Sequence, residues 1–142
     1  MAQDERRRLE DLLDREIDAA RSLAATLAAE RTALTGDSPQ VVEQMAAEKI
    51  QILGTIEKLE AERRALWAEP SLGLAATVAE RWRNLLDLMA GCRTANEVNG
   101  HIIHVRQHQV QQLIDIVRGG PAMTYDPQGK TFAKALRALA RA

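Results

Sequence analysis

The longest helical pattern in the sequence lies in residues 78–117, VAERWRNLLDLMAGCRTANEVNGHIIHVRQHQVQQLIDIV. Twelve positions in this stretch follow one another at alternating steps of four and three residues, which is the spacing of one face of a long α-helix. These positions are Val78, Trp82, Leu85, Met89, Cys92, Asn96, Asn99, Ile103, Arg106, Val110, Leu113 and Val117. No proline interrupts them, so the pattern predicts one unbroken helix.

Two shorter helices are predicted before this stretch. Apolar residues recur at steps of three and four between Leu9 and Leu34, and Gly36 then supplies a helix stop. Pro39 suits the first turn of the next helix, where its missing N–H costs nothing, and Pro70 ends that helix. The three helices are therefore expected at about 4–35, 39–69 and 75–118.

Short polar residues predict how these helices begin. Asp4 is a candidate N-cap for the first helix, and Ser38 is a candidate for the second. Thr77 and Glu80 have the spacing of a capping box at the start of the third helix.

The second helix places two basic residues on its apolar seam. Its heptad frame runs from Val42 to Leu66 and includes Lys49 and Arg63. Long basic side chains can lie along an apolar surface while their charge stays in water. We therefore expect both charges to point outward.

The composition favours helices packed on helices. Only four residues are aromatic (Trp67, Trp82, Tyr125 and Phe132), so aliphatic side chains must fill the core. Nothing in the pattern indicates a β-strand. With short connections, we expect an all-α, elongated, antiparallel three-helix bundle in which the second helix pairs with the first thirty or so residues of the third.

Charge and cysteine content exclude several classes of protein. The net charge of −1 argues against a nucleic-acid binder that works by bulk electrostatics. A single cysteine, Cys92, excludes an internal disulfide and a thiolate zinc site, and we expect it to be a packed thiol rather than a nucleophile. The N-terminus is charged, and no apolar run approaches the ~20 residues of a membrane span. The sequence therefore predicts a soluble, cytoplasmic protein.

The third helix is too long for its partners. At about 1.5 Å per residue the first two helices reach roughly 45 Å, whereas residues 78–118 reach roughly 60 Å. We therefore expect its end to extend past the bundle with Val110, Leu113, Ile114 and Val117 exposed. An apolar face without an internal partner usually meets another chain.

A basic, amphipathic segment follows the bundle. Residues 119–142 contain four basic residues and one acidic residue, and a turn-forming stretch precedes residues 131–142. Phe132, Ala135, Leu136 and Leu139 share one face of this last segment. A helix this short is marginal alone, so it either docks on its own bundle or folds on a partner. We accordingly divide the chain into a bundle, 1–118, and a tail, 119–142.

Two groups of polar residues on the third helix have competing interpretations. His101, His104 and His108, with Glu97, have helical spacing, but the heptad frame puts them on the solvated face, and we predict no metal site. Asn96, Asn99 and Arg106 interrupt the apolar seam. They fit either a structural role that fixes register or a partner surface, and Gly91 and Gly100 could permit a close helix approach.

The third helix and the tail resemble a known family. Residues 92–106, CRTANEVNGHIIHVR, resemble the N-x-x-N-G-x-x-I segment of the FlgN family of flagellar export chaperones, with Asn96, Asn99 and Gly100 as the matching positions. Residues 125–130, YDPQGK, resemble the Y-D-x-x-G turn that follows the last long helix of that family.

The resemblance implies a function and assigns sites. It implies a cytoplasmic chaperone without enzyme activity or cofactor, which holds hook–filament junction subunits unpolymerised and delivers them to the flagellar type III export gate. By resemblance, Tyr125 would dock on the cytoplasmic domain of that gate. The client would bind at the end of the third helix and on the tail, at Val110, Leu113, Ile114, Val117, Phe132, Leu136 and Leu139.

A protein of another functional class is the alternative to a chaperone. The third-helix stripe could join copies of this chain into a structural coiled-coil protein that has no client. A chaperone should be a monomer or a weak homo-oligomer, with no nucleic-acid partner and no membrane contact except through the export apparatus.

Overall fold

The computed structural model describes residues 2–36, 38–68 and 70–118. Helix α1 spans Ala2–Thr35, α2 spans Pro39–Leu66 and α3 spans Ala76–Val117, and a short 3-10 turn, Pro70–Leu74, joins α2 to α3. The described ranges contain no strand. The all-α bundle is thus confirmed, and the expected C-terminal helix lies outside the described residues.

Helix α1 is the shared partner of the other two helices. It buries twelve residues, whereas α2 buries two and α3 four. Helices α2 and α3 each pack along α1, and few of their backbone positions lie close to each other. The expected pairing of α2 with α3 is limited to side-chain contacts such as that between Lys49 and Asn96, because α1 is apolar over a face wide enough to cover both helices.

Side-chain contacts fix the directions of the helices. Thr77 contacts Glu10 near one end of α1, Cys92 contacts Ala20, and Arg106 contacts Gly36 at the other end, so α3 runs parallel to α1. Arg63 contacts Glu16 and Lys49 contacts Glu30, so α2 runs antiparallel to α1. The up-down-up order follows from these pairs.

The core has two apolar clusters along α1. The first surrounds Trp67 and Trp82 and contains Leu9, Leu13, Ile17, Ala20, Leu72, Val78 and Leu85. The second contains Leu23, Leu27 and Cys92, with Ile52, Leu53 and Ile56 packed against it. A Cβ at Gly73 would lie 3.1 Å from the Trp67 ring, closer than most Cβ contacts, so a side chain at this position would require the ring to shift by a few tenths of an ångström.

The helix ends differ from the capping predictions. Helix α1 already includes Ala2, so Asp4 lies inside it rather than at its N-cap. Ser38 occupies the N-cap of α2 without a side-chain cap hydrogen bond. Ala75 is the N-cap of α3, and the Thr77 hydroxyl instead donates to Glu10 Oε1 at 2.6 Å. Thr77 therefore links two helices instead of capping one.

Helix α3 continues past the end of α1. Arg106 Nη2 donates to the Gly36 carbonyl at 3.0 Å, one residue after α1 ends. We call residues 107–117 the overhang, because they follow that contact. The α3 seam is buried at Asn99, half-buried at Ile103 and exposed from Arg106 onward. None of the helices within the described ranges is long and apolar enough to cross a membrane.

Candidate functional site

The overhang presents four neighbouring apolar side chains to water. Their exposed fractions are 52% for Val110, 62% for Leu113, 38% for Ile114 and 85% for Val117. We call these four residues the apolar stripe. They continue the line of Val78, Leu85 and Cys92, which are buried against α1, so the same helix face changes from core to surface where α1 ends.

The helix remains regular through the stripe. The Arg118 amide donates to the Ile114 carbonyl at 3.0 Å, and Gln111 Nε2 donates to Asp115 Oδ1 at 3.1 Å on the neighbouring face. Because the backbone hydrogen bonds are intact, the stripe is held in one helical geometry. Such a surface suits an amphipathic helix, whose apolar residues recur at the same spacing.

A buried polar network lies just before the overhang. Lys49 Nζ lies 3.2 Å from Glu30 Oε2 and 3.2 Å from Asn96 Oδ1, and both charged side chains are 2% exposed. Asn99 Nδ2 donates to Glu30 Oε1 at 2.8 Å and to the Leu27 carbonyl at 2.9 Å. One cation, one carboxylate and two amides thus join all three helices at a single level.

The network bears on the two alternatives for the seam asparagines, a structural role or a partner surface. Asn96 contacts the buried Lys49 and Asn99 donates to the buried Glu30, which favours the structural role of these two amides over a partner surface. The suggestion that Gly91 and Gly100 permit close helix approach is wrong, because a Cβ on either residue would meet nothing within 4 Å.

A second ion pair lies nearer the other end of the bundle. Arg63 Nε lies 3.0 Å from Glu16 Oε2, and its guanidinium stacks 4.6 Å above the centroid of the Trp82 ring. Trp67 meets Trp82 edge-on, with ring centroids 5.2 Å apart. Burial raises the pKa of Glu16 above its ordinary value, and the attraction of Arg63 offsets only part of that effect.

The outward orientation expected for Lys49 and Arg63 is therefore wrong. Each finds a carboxylate on α1, and that partner makes burial of the charge tolerable. Sequence reasoning missed Glu16 and Glu30 as buried acids. A signal was present, because Glu16 and Glu30 are separated by the same fourteen residues as Lys49 and Arg63, as two antiparallel helices require for paired contacts.

The other polar residues of α3 that could carry chemistry are three histidines with Glu97, and Cys92. His101, His104, His108 and Glu97 are all exposed, and the described residues contain no group of three or more ligating side chains placed to hold a metal ion. The Cys92 thiol is buried and contacts the Ala20 carbonyl at 3.5 Å. Burial raises the pKa of that thiol, which disfavours the reactive thiolate.

The other predicted site residues belong to the tail. Tyr125, Phe132, Leu136 and Leu139 lie outside the described residues.

The architecture points to a class of protein. An elongated helical bundle whose longest helix continues into an exposed apolar face is typical of a protein that binds another polypeptide.

Comparison with known proteins gives the family. A family model described as "FlgN protein" matches residues 1–132. The flagella synthesis protein FlgN of Yersinia enterocolitica is 30% identical over 133 residues, which is 86% of this chain and 88% of that protein. No solved structure matches the chain. The chain belongs to the FlgN family of flagellar export chaperones.

Proposed function

We propose that this protein is a cytoplasmic export chaperone that binds hook–filament junction subunits, keeps them from assembling early and delivers them to the flagellar type III export gate. Family membership supports the flagellar role. The observation that carries the binding function is the exposed apolar stripe, Val110, Leu113, Ile114 and Val117, on a helix that extends past its own bundle.

The stripe explains how a client would be held. A junction subunit that polymerises through amphipathic terminal helices must have those helices covered until export. An apolar face at helical spacing can receive the apolar face of one such helix, as in other helix-in-groove complexes. Phe132, Leu136 and Leu139 of the tail would add contacts from the other side of the client.

The two parts of the chain would have separate tasks. The bundle, residues 1–118, provides a rigid support, because buried ion pairs and amide contacts fix the helices against one another. The tail, residues 119–142, would close over the client, and Tyr125 would contact the cytoplasmic domain of the export gate. No covalent step is needed, since release follows from exchange of one set of apolar contacts for another.

A self-associating coiled-coil protein without a client is the second candidate. The same exposed stripe favours it, since a second copy could cover the stripe. Light scattering on the purified protein separates the two functions. A chaperone should be a monomer or weak oligomer that forms a stoichiometric complex with a purified junction subunit, whereas a scaffold should be a stable oligomer alone and bind no subunit.

A further inference from the structure

We propose that Gln107 sets the register of a client helix on the apolar stripe by pairing its side-chain amide with an asparagine or glutamine of that helix. The identity of the client rests on the proposed function. The polar contact adds a specific requirement to a surface that is otherwise apolar, since it asks the client for an amide at one position of its apolar face.

The side-chain amide of Gln107 lacks a hydrogen-bond partner within the part of the chain that the structure describes. Both of its polar atoms, Nε2 and Oε1, are shielded from water. Oδ1 of Asn99 is in the same situation, but Asn99 Nδ2 donates twice to α1. A buried donor and a buried acceptor without partners destabilise the folded state, so the arrangement at Gln107 calls for a functional explanation.

Gln107 lies at the edge of the apolar stripe. It is the first residue of the overhang and precedes Val110 by three residues and Ile114 by seven, which places the three side chains along one side of α3. Arg106, the residue before it, donates to the Gly36 carbonyl at 3.0 Å, so the backbone at this point is held against the bundle. Gln107 as a whole is half-buried, and rotation about its side-chain bonds turns the amide towards a client without movement of the helix.

A second amide is the group that complements Gln107 best. The Gln107 side chain offers a carbonyl acceptor and an NH2 donor, and the side chain of asparagine or glutamine offers the same two groups in reverse order. The backbone of a client helix does not, because its interior N–H and C=O groups already bond to one another. A polar pair inside an apolar helix interface fixes register, since a shifted arrangement leaves both polar groups unpaired.

The contact would also make the stripe selective. The Gln107 amide is already removed from water in the free protein, so a client with an amide gains hydrogen bonds without having to desolvate it. A client with leucine at the same position leaves the amide unpaired, and a site with a buried polar group rejects such an apolar analogue strongly. Gln107 would therefore discriminate among amphipathic helices that the four apolar residues of the stripe alone would bind alike.

Binding of synthetic amphipathic helices to the full chain, measured by titration calorimetry, tests this assignment. The probes are one peptide with an entirely apolar face and a series in which a single glutamine replaces one residue of that face at successive positions. We expect the unmodified protein to bind one member of the series about tenfold more tightly than the apolar parent. Gln107→Leu should reverse this preference, because the glutamine of the peptide then meets an apolar side chain.

Gln111→Leu is the matched control and should leave the preference unchanged, because the Gln111 amide donates to Asp115 Oδ1 on its own helix at 3.1 Å. Urea unfolding adds a measurement without any client. Gln107→Leu should not lower the stability of the protein, since it removes both buried amide atoms.

Three results would overturn the role of Gln107: no binding or equal binding of all peptides, a preference that survives Gln107→Leu, or a marked loss of stability in that variant, which would give the amide a partner within the bundle. A purified junction subunit is titrated separately. If it binds while the peptides show no preference for glutamine, only the register contact fails. If the peptides show the preference while no subunit binds, only the proposed function fails.

Discussion

At the scale of single residues, the interior of this bundle is held by charges as well as by apolar side chains. Lys49 and Glu30 are both 2% exposed and share their contacts with Asn96 and Asn99. Such a group is sensitive to the loss of one member, since the remaining charge stays buried without its counterpart.

Replacing the buried lysine should therefore destabilise the fold strongly. Lys49→Met leaves the Glu30 carboxylate without its cation, and we expect the free energy of unfolding in urea to fall by about 3 kcal/mol or more. Lys58→Met, at an exposed position of the same helix, is the control and should change it by less than about 0.5 kcal/mol. Equal effects of the two substitutions would mean that the buried pair has no special role.

The double variant Glu30→Leu, Lys49→Met tests whether the two buried charges depend on each other. It removes both charges together, so we expect it to lose less stability than Lys49→Met alone. A loss equal to the sum of the two single losses would show that the residues do not interact.

Glu16 gives a prediction about pH. Burial raises the pKa of Glu16 in the folded protein, so the folded state binds this proton more tightly than the unfolded chain does. The contribution of Glu16 to stability is therefore fully present below its unfolded pKa and is lost as the pH rises through its folded pKa. Glu16→Gln abolishes this titration and keeps the shape of the side chain.

The measurement is urea unfolding of both proteins between about pH 4 and pH 7, a range that starts near the ordinary glutamate pKa. The stability of the unmodified protein, relative to Glu16→Gln, should increase as the pH falls. A relative stability that decreases on acidification would show that the attraction of Arg63 outweighs the cost of burial.

At the scale of the helices, one continuous face of α3 has two different surroundings. Leu85 is 6% exposed against α1, and Leu113, four heptads further along the same face, is 62% exposed. The same substitution at the two positions should therefore have very different costs.

Leu85→Ala should lower the free energy of unfolding by about 2–5 kcal/mol, because it opens a cavity in the first core cluster. Leu113→Ala should lower it by less than about 1 kcal/mol, which is usual for a surface position. Urea unfolding of the two variants provides the comparison. A loss of several kcal/mol at Leu113 would place the overhang inside the folded core.

The helices were predictable because each is encoded by its own local spacing. The unbroken steps of four and three residues predicted α3, and the lengths of the three segments predicted that α3 would extend past the others. The choice of partners was not predictable in the same way, since periodicity shows which face is apolar but not which helix covers it. For the same reason the seam pattern located Lys49 and Arg63 but not the carboxylates that face them.

At the scale of the whole molecule, binding and delivery should be separable. Tyr125 lies in a turn-rich stretch between the bundle and the last amphipathic segment, away from the stripe in sequence. We expect Tyr125→Ala to leave client binding intact and to weaken binding of the loaded chaperone to the purified cytoplasmic domain of the export gate. A melting temperature lowered by several degrees with unchanged gate binding would instead identify Tyr125 as a packing residue.

Titration calorimetry with a purified hook–filament junction subunit tests most directly whether the apolar stripe beyond the bundle holds the client. The unmodified protein should bind one subunit per chain. Leu113→Asp should weaken binding by about 2 kcal/mol, or roughly thirtyfold in Kd, while Gln112→Asp on the opposite face changes it little. Equal affinity for the subunit in all three proteins would show that the stripe does not hold the client.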